Sequence, residues 1–241
     1  MKRTAGFLIL GCFLASFSSA DPAQQYVKQF EKIYRKAVTL RATFLETYFE
    51  NGEAVRSEAG VAYFRRPGKM RWEYNSPEKN LFLVDGKTAW FYVPEDHTVT
   101  KMPAKRSEDW RTPLALLAGE AKVSRICSKV EEHASEQPAD KSLVLLDCGL
   151  RGSEKRSQQS SEEALSPDTT PAAVQFELVR ATGELRRVII HERGNSIVEF
   201  RFAQWEFNPP IPESSFQFHP PMGVAIVDGE LGSAGGGQEK Q

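Results

Sequence analysis

Residues 60–94, GVAYFRRPGKMRWEYNSPEKNLFLVDGKTAWFYVP, decide the fold. They read as four short strands separated by turn signals and crowded with large apolar and aromatic side chains. In MRWEYN the alternation is clean. Met70, Trp72 and Tyr74 share one face, and Arg71, Glu73 and Asn75 the other, because strand side chains repeat with period two. Asp85-Gly86, between LFLV and TAWFYV, is a two-residue hairpin signal, since glycine accepts the positive φ of a tight turn. Pro67-Gly68 and Ser76-Pro77 punctuate the other joins. The expectation is an antiparallel meander with an aromatic-lined face.

Outward on the N-terminal side, residues 40–50 (LRATFLETYFE) form a long strand closed by Asn51-Gly52. Before it, Asp21 caps a helix, Pro22 suits its first position and Gln24 reaches back to the cap. Tyr26, Phe30, Ile33, Tyr34, Ala37 and Val38 then recur at three- and four-residue spacing, opposite Lys28, Lys32, Arg35 and Lys36. Such a basic amphipathic helix either lies on an anionic membrane or docks on its own sheet. Docking is the commoner use and is the reading taken.

On the C-terminal side, residues 98–102 make a further strand. Residues 112–119 (TPLALLAG) make a short helix with Thr112 as cap, Pro113 at its start and Gly119 as stop. It is apolar all round, so it is either core or the lining of a cavity. Residues 151–171 are polar, Ser-rich and aperiodic, and read as a mobile loop. Strands resume with AVQFELV, residues 184–191 and IVEFRFAQWEF, before a rigid NPPIP connector. The Gly-rich end from residue 229 reads as disordered, and no internal repeat of fixed period is visible.

Lys+Arg 31 against Asp+Glu 32 leaves the chain near neutrality, which argues against a dedicated nucleic-acid binder. Lys2-Arg3, an apolar run over residues 5–17 and Ser18-Ser19-Ala20 read as a secretory signal cleaved after Ala20. Leu10-Gly11-Cys12 faintly matches a lipidation site, which leaves an anchored mature chain as the alternative to a soluble one. Removing the signal leaves Cys127 and Cys148, at the ends of the strand-like runs VSRIC and LVLLDC. A disulfide is favoured in an oxidising compartment over two buried thiols. It would stabilise by roughly 3 kcal/mol in the chain-entropy model.

No chemistry of catalysis is legible. His97, His133, His191 and His219 are scattered without metal-ligand spacing, and there is no GxSxG elbow or phosphate-cradling glycine loop. The expectation is no enzyme, no metal and no cofactor.

The ordered set formed by Arg66-Pro67, Trp72 two residues past Met70, Pro77-Glu78, LVDGKTAWFYVP, TPLALLA and FQFHPPMGV resembles the LolA family of outer-membrane lipoprotein carriers. The resemblance spans roughly residues 26–228. It implies a mainly β fold: an incomplete antiparallel β-barrel, a curled sheet closed by an N-terminal amphipathic helix and short lid helices. It divides the chain into a signal peptide (1–20), a carrier domain (21–228, with the polar loop 151–171) and a disordered tail (229–241).

The implied function is that of a monomeric periplasmic chaperone. It takes acylated lipoproteins from an inner-membrane Lol-type ABC transporter and hands them to an outer-membrane acceptor. Met70, Trp72, Tyr74, Leu83, Trp90, Tyr92, Leu114 and Leu117 would contact lipid. By the resemblance, Arg66 would hold the lid by bonding carbonyls near Leu117 or of the first helix; the plain alternative is a solvated strand-end cation. The other readings are a carrier or sensor of free lipids or glycolipids, a lipid-anchored acceptor of the LolB type, and a motif-poor exported hydrolase.

Overall fold

The computed structural model describes residues 21–104, 114–119, 122–135, 137–151, 173–192 and 194–229. The signal segment with Cys12, Thr112 and Pro113, nearly all of the polar loop and the tail beyond Gly229 lie outside the described residues. So do the expectations attached to them.

Among the described residues twelve strands form one sheet: β1 (Thr39–Glu50), β2 (Glu53–Arg65), β3 (Lys69–Ser76), β4 (Leu81–Asp85), β5 (Thr88–Val93), β6 (Thr98–Pro103), β7 (Cys127–Glu132), β8 (Leu143–Leu150), β9 (Ala173–Val179), β10 (Leu185–His191), β11 (Ser196–Phe207) and β12 (Ala225–Asp228). Their order is β12-β6-β5-β4-β3-β2-β1-β11-β10-β9-β8-β7. The edge strands β12 and β7 do not pair, so the barrel is incomplete. Neighbours run antiparallel except β12 with β6, which is parallel.

Turn chemistry sets the register. Asn51 and Gly52, at φ 52° and 85°, return the chain so that Glu53 faces Glu50. The second strand therefore starts at Glu53 rather than Gly60. Its first half is polar and lacks the alternation that marks the rest. At the β4–β5 turn, Asp85 Oδ1 accepts the N–H groups of Lys87 and Thr88 at 2.8 Å.

One face of the sheet carries the main core and is covered by α1 (Pro22–Lys36), α2 (Ala115–Ala118) and α3 (Val123–Ile126). Asp21 Oδ1 caps α1 through the Ala23 N–H, with Pro22 at the first position. Phe30 and Tyr34 are buried, but the helix stops at Lys36 and leaves Val38 57% exposed, so the apolar stripe ends sooner than its spacing predicts. Residues 123–126 are helical rather than part of a strand ending in Cys127, which instead opens β7. Cys127 and Cys148 are joined in a disulfide linking β7 to β8.

Candidate functional site

Period two places Leu40, Ala42 and Phe44 of β1, Ala62 and Phe64 of β2, and Met70, Trp72 and Tyr74 of β3 on the inner face, beneath the helices. Phe200 and Phe202 of β11 complete an aromatic cluster around Trp72, whose ring stands 4.8 Å from Phe44 and 5.6 Å from Phe200. Leu114 and Leu117 are fully buried from the α2 side. Met70, Trp72, Tyr74, Leu114 and Leu117 thus share one buried core. The aromatics of β1, β2 and β11 that surround Trp72 were not singled out by the sequence motifs, although alternation within each strand marks them.

Leu83, Trp90 and Tyr92 do not join this set. Leu83 pairs with Arg71 and Trp90, and Tyr92 with Val99, on the outer face, whereas Phe82 and Val84 point inward. The outer trio is covered by the chain's own C-terminal segment. Phe216 is buried, and the ring of Phe218 lies 5.6 Å from Trp90 and 5.7 Å from Tyr92. Asp85 also accepts from Trp90 Nε1. A one-residue difference in position along β4 and β5 decides the face.

The inner face is not apolar throughout. Glu46 is wholly buried on the same period as Phe44 and accepts hydrogen bonds from the hydroxyls of Tyr48 and Tyr74, the latter at 2.7 Å. Across from it on β2 stands Glu58, paired with Arg56 at 3.1 Å. Tyr74 therefore turns its ring to the apolar cluster and its hydroxyl to a carboxylate. The apolar part of this core ends there.

At the opposite end the helices meet the strand ends. Tyr34 Oη accepts the Leu185 N–H at 3.0 Å, Arg180 Nη1 donates to Tyr26 Oη, and Glu31 Oε1 accepts the Val123 N–H. Burial pushes the Tyr34 phenol well above its ordinary range. Gly183 lies directly under α1: at φ 76°, a Cβ there would stand 2.6 Å from the Phe30 nitrogen.

Arg66 lies where α1, α2 and α3 converge on the β2–β3 turn, beside a cavity of about 160 Å³. Its side chain crosses Gly119, the left-handed residue that ends α2, so closely that a Cβ there would meet Arg66 Cδ at 2.7 Å. The expected bonds from its guanidinium to helix carbonyls are not made among the described residues. The backbone makes the contact instead: Gly68 N donates to Ala118 O of α2, and Arg66 N to Val38 O, just past the end of α1. Arg66 Nε is buried without a partner. Burial first, and the charge of Arg35 second, lower the Arg66 pKa. Arg65, by contrast, is an outer-face cation paired with Glu213.

The outer face gathers two of the histidines. Ser135 Oγ lies 2.9 Å from His133 Nε2, and His133 Nδ1 lies 2.9 Å from Asp147 Oδ2. Gln175 bridges Asp147 to His191. The histidines are thus less scattered than their spacing suggests. Among the described residues this relay lies away from the helices, outside the cavities lined by Arg66 and by Val27.

With this geometry in place, the relatives decide the family. Residues 35–148 match the model of the outer membrane lipoprotein carrier protein LolA family. An outer-membrane lipoprotein carrier protein from Chromobacterium violaceum is 30% identical over 213 residues, covering 88% of this chain and 92% of the relative. The chain belongs to the LolA family. A second carrier protein of that family, from Nitrosomonas europaea, is 29% identical over 208 residues, covering 83% of this chain and 88% of its own length. Among solved structures, an uncharacterized conserved protein from Thermus thermophilus shares the fold, with a TM-score of 0.51 at 12% identity over 86% of this chain and 98% of that one.

Proposed function

We propose that this chain is a periplasmic carrier that shields the acyl chains of lipoproteins in transit between membranes. The observation that carries the proposal is the aromatic inner face around Trp72, covered among the described residues by α1 and two single-turn helices. Each methylene held in water costs about 0.8 kcal/mol, so several acyl chains face a penalty on the order of tens of kcal/mol. An apolar chamber substitutes for the bilayer and makes the transit nearly neutral.

In this reading a signal over residues 1–20 exports the chain, and residues 21–228 form the carrier domain. Met70, Trp72, Leu114 and Leu117 receive the chains, with the ring of Tyr74 at the far limit. Leu83, Trp90 and Tyr92 keep a structural role on the outer face. The cavity of about 160 Å³ lies below the roughly 300–1,000 Å³ of typical ligand pockets, so α1 and α2 must lift for cargo to enter. Arg66, lying across Gly119, and the Gly68–Ala118 backbone bond hold α2 against the strand end until then. Cargo comes from an inner-membrane Lol-type ABC transporter, which spends the ATP, and passes to an outer-membrane acceptor. The carrier itself needs no cofactor and turns nothing over.

Depletion of the protein tests the proposal. Outer-membrane lipoproteins are expected to accumulate in the inner membrane. Unchanged sorting in a strain lacking any paralogue would contradict it.

A further inference from the structure

The cavity at Arg66 differs in character from the apolar core around Trp72. Its floor is Phe30, Tyr34, Leu116 and Val123, and its rim carries three cations, Arg35, Arg66 and Lys122, against one carboxylate, Glu31. That carboxylate is already engaged. Glu31 Oε2 accepts from Arg35 Nη2 at 2.9 Å, and Oε1 accepts from the Val123 N–H at 3.1 Å. Arg66 and Lys122 have no acidic partner among the described residues.

A guanidinium stays charged under all ordinary conditions, and burying part of it without an acceptor costs free energy that water would otherwise supply. Arg66 Nε is in that condition, and Arg35 adds repulsion to burial. A buried donor without an acceptor, beside an unpaired ammonium and above an apolar floor, is half of a recognition site. The missing half is an anion joined to something greasy.

We infer that the cavity formed by α1, α2, α3 and the end of β2 binds an anionic amphiphile, with its phosphate or carboxylate between Arg66 and Lys122 and the start of its hydrocarbon chain on Phe30 and Leu116. This inference deepens the carrier reading, since the chain would run on toward the inner face that the reading assigns to cargo. Arg66 then has two states. Without ligand it lies across Gly119 and closes α2 down. With ligand its fork turns to the anion, which couples recognition of the headgroup to release of the lid.

Titration of the full mature chain with dodecyl phosphate, dodecanol and inorganic phosphate, by calorimetry, tests this. Dodecyl phosphate is expected to bind about tenfold more tightly than dodecanol, the scale of one charge-assisted hydrogen bond. Lys122→Gln, at an exposed position away from the α2 contact, is expected to remove most of that advantage while leaving dodecanol binding unchanged. Arg66→Gln is expected to remove the advantage while also easing dodecanol entry, since it frees α2. Saturable binding of inorganic phosphate that is lost in Arg66→Gln would assign the site to free anions. Its absence would assign it to the headgroup of an amphiphile. Equal affinity for dodecyl phosphate and dodecanol, or a Lys122→Gln chain with its full preference intact, would overturn the inference. Dodecanol reports separately on the apolar chamber: binding of dodecanol without the preference leaves the carrier reading standing, and no binding of either amphiphile counts against both.

Discussion

Single residues decide how firmly the lid sits. Gly183 is a glycine because the α1 backbone passes where a side chain would be and because its φ is 76°. Gly183→Ala is expected to cost about 2 kcal/mol and to loosen α1 more than the sheet. Hydrogen exchange that accelerates in residues 22–36 and not in β1 or β11 checks this. Tyr34 acts from the helix side, since its hydroxyl is the acceptor for the buried Leu185 N–H. Burial raises the phenol pKa, so the folded chain keeps a proton that the unfolded chain releases above pH ~10. Stability is therefore unaffected by this group below that pH and falls as pH rises above it. Tyr34→Phe is expected to lose about 1 kcal/mol at neutral pH. It should also show a shallower alkaline decline in urea midpoints measured from pH 8 to 11.

At the scale of elements, the sheet is stabilised from both faces and at one edge. The C-terminal segment after β11 seals the outer face of β3–β6. Arg65 and Lys69 reach Glu213, Arg71 Nη1 donates to Ser215 O, and Phe216 is buried. Phe216→Ala is expected to lower stability by about 3 kcal/mol in denaturant titrations. It should leave binding of an apolar dye to the inner face unchanged. At the β7 edge, the disulfide joins positions 21 apart in sequence. Replacing both Cys127 and Cys148 by Ser is expected to cost about 3 kcal/mol, read as an equal fall for the wild type in a reductant.

The meander, the Asn51-Gly52 and Asp85-Gly86 turns and the capped first helix were all legible in the sequence, because each rests on local chemistry. The face of Leu83, Trp90 and Tyr92 was not. That depends on the pairing of β4 and β5 with their neighbours and on a segment more than a hundred residues away. Glu46 was readable in principle, since it keeps step with Phe44 in β1, but a carboxylate in an apolar lining runs against expectation until Tyr48 and Tyr74 are seen beside it.

For the whole molecule, the open sheet separates two functions that a closed barrel would merge. Its outer face is finished by the chain itself, through Phe216 and Phe218. Among the described residues its inner face is finished by a helix that ends at Lys36 and by two single turns, held through bonds at Tyr34, Gly68 and Glu31. Near-neutral charge and a greasy interior under a light cover suit a protein that must take up hydrocarbon and give it back. The central claim is that this interior holds the acyl chains of lipoproteins. Native mass spectrometry of the protein taken directly from a periplasmic extract tests it most directly. An acylated polypeptide retained on the carrier is the expected result. A free lipid in its place would keep the chamber and overturn the cargo, and an empty protein that also fails to bind an apolar fluorescent dye would contradict the account.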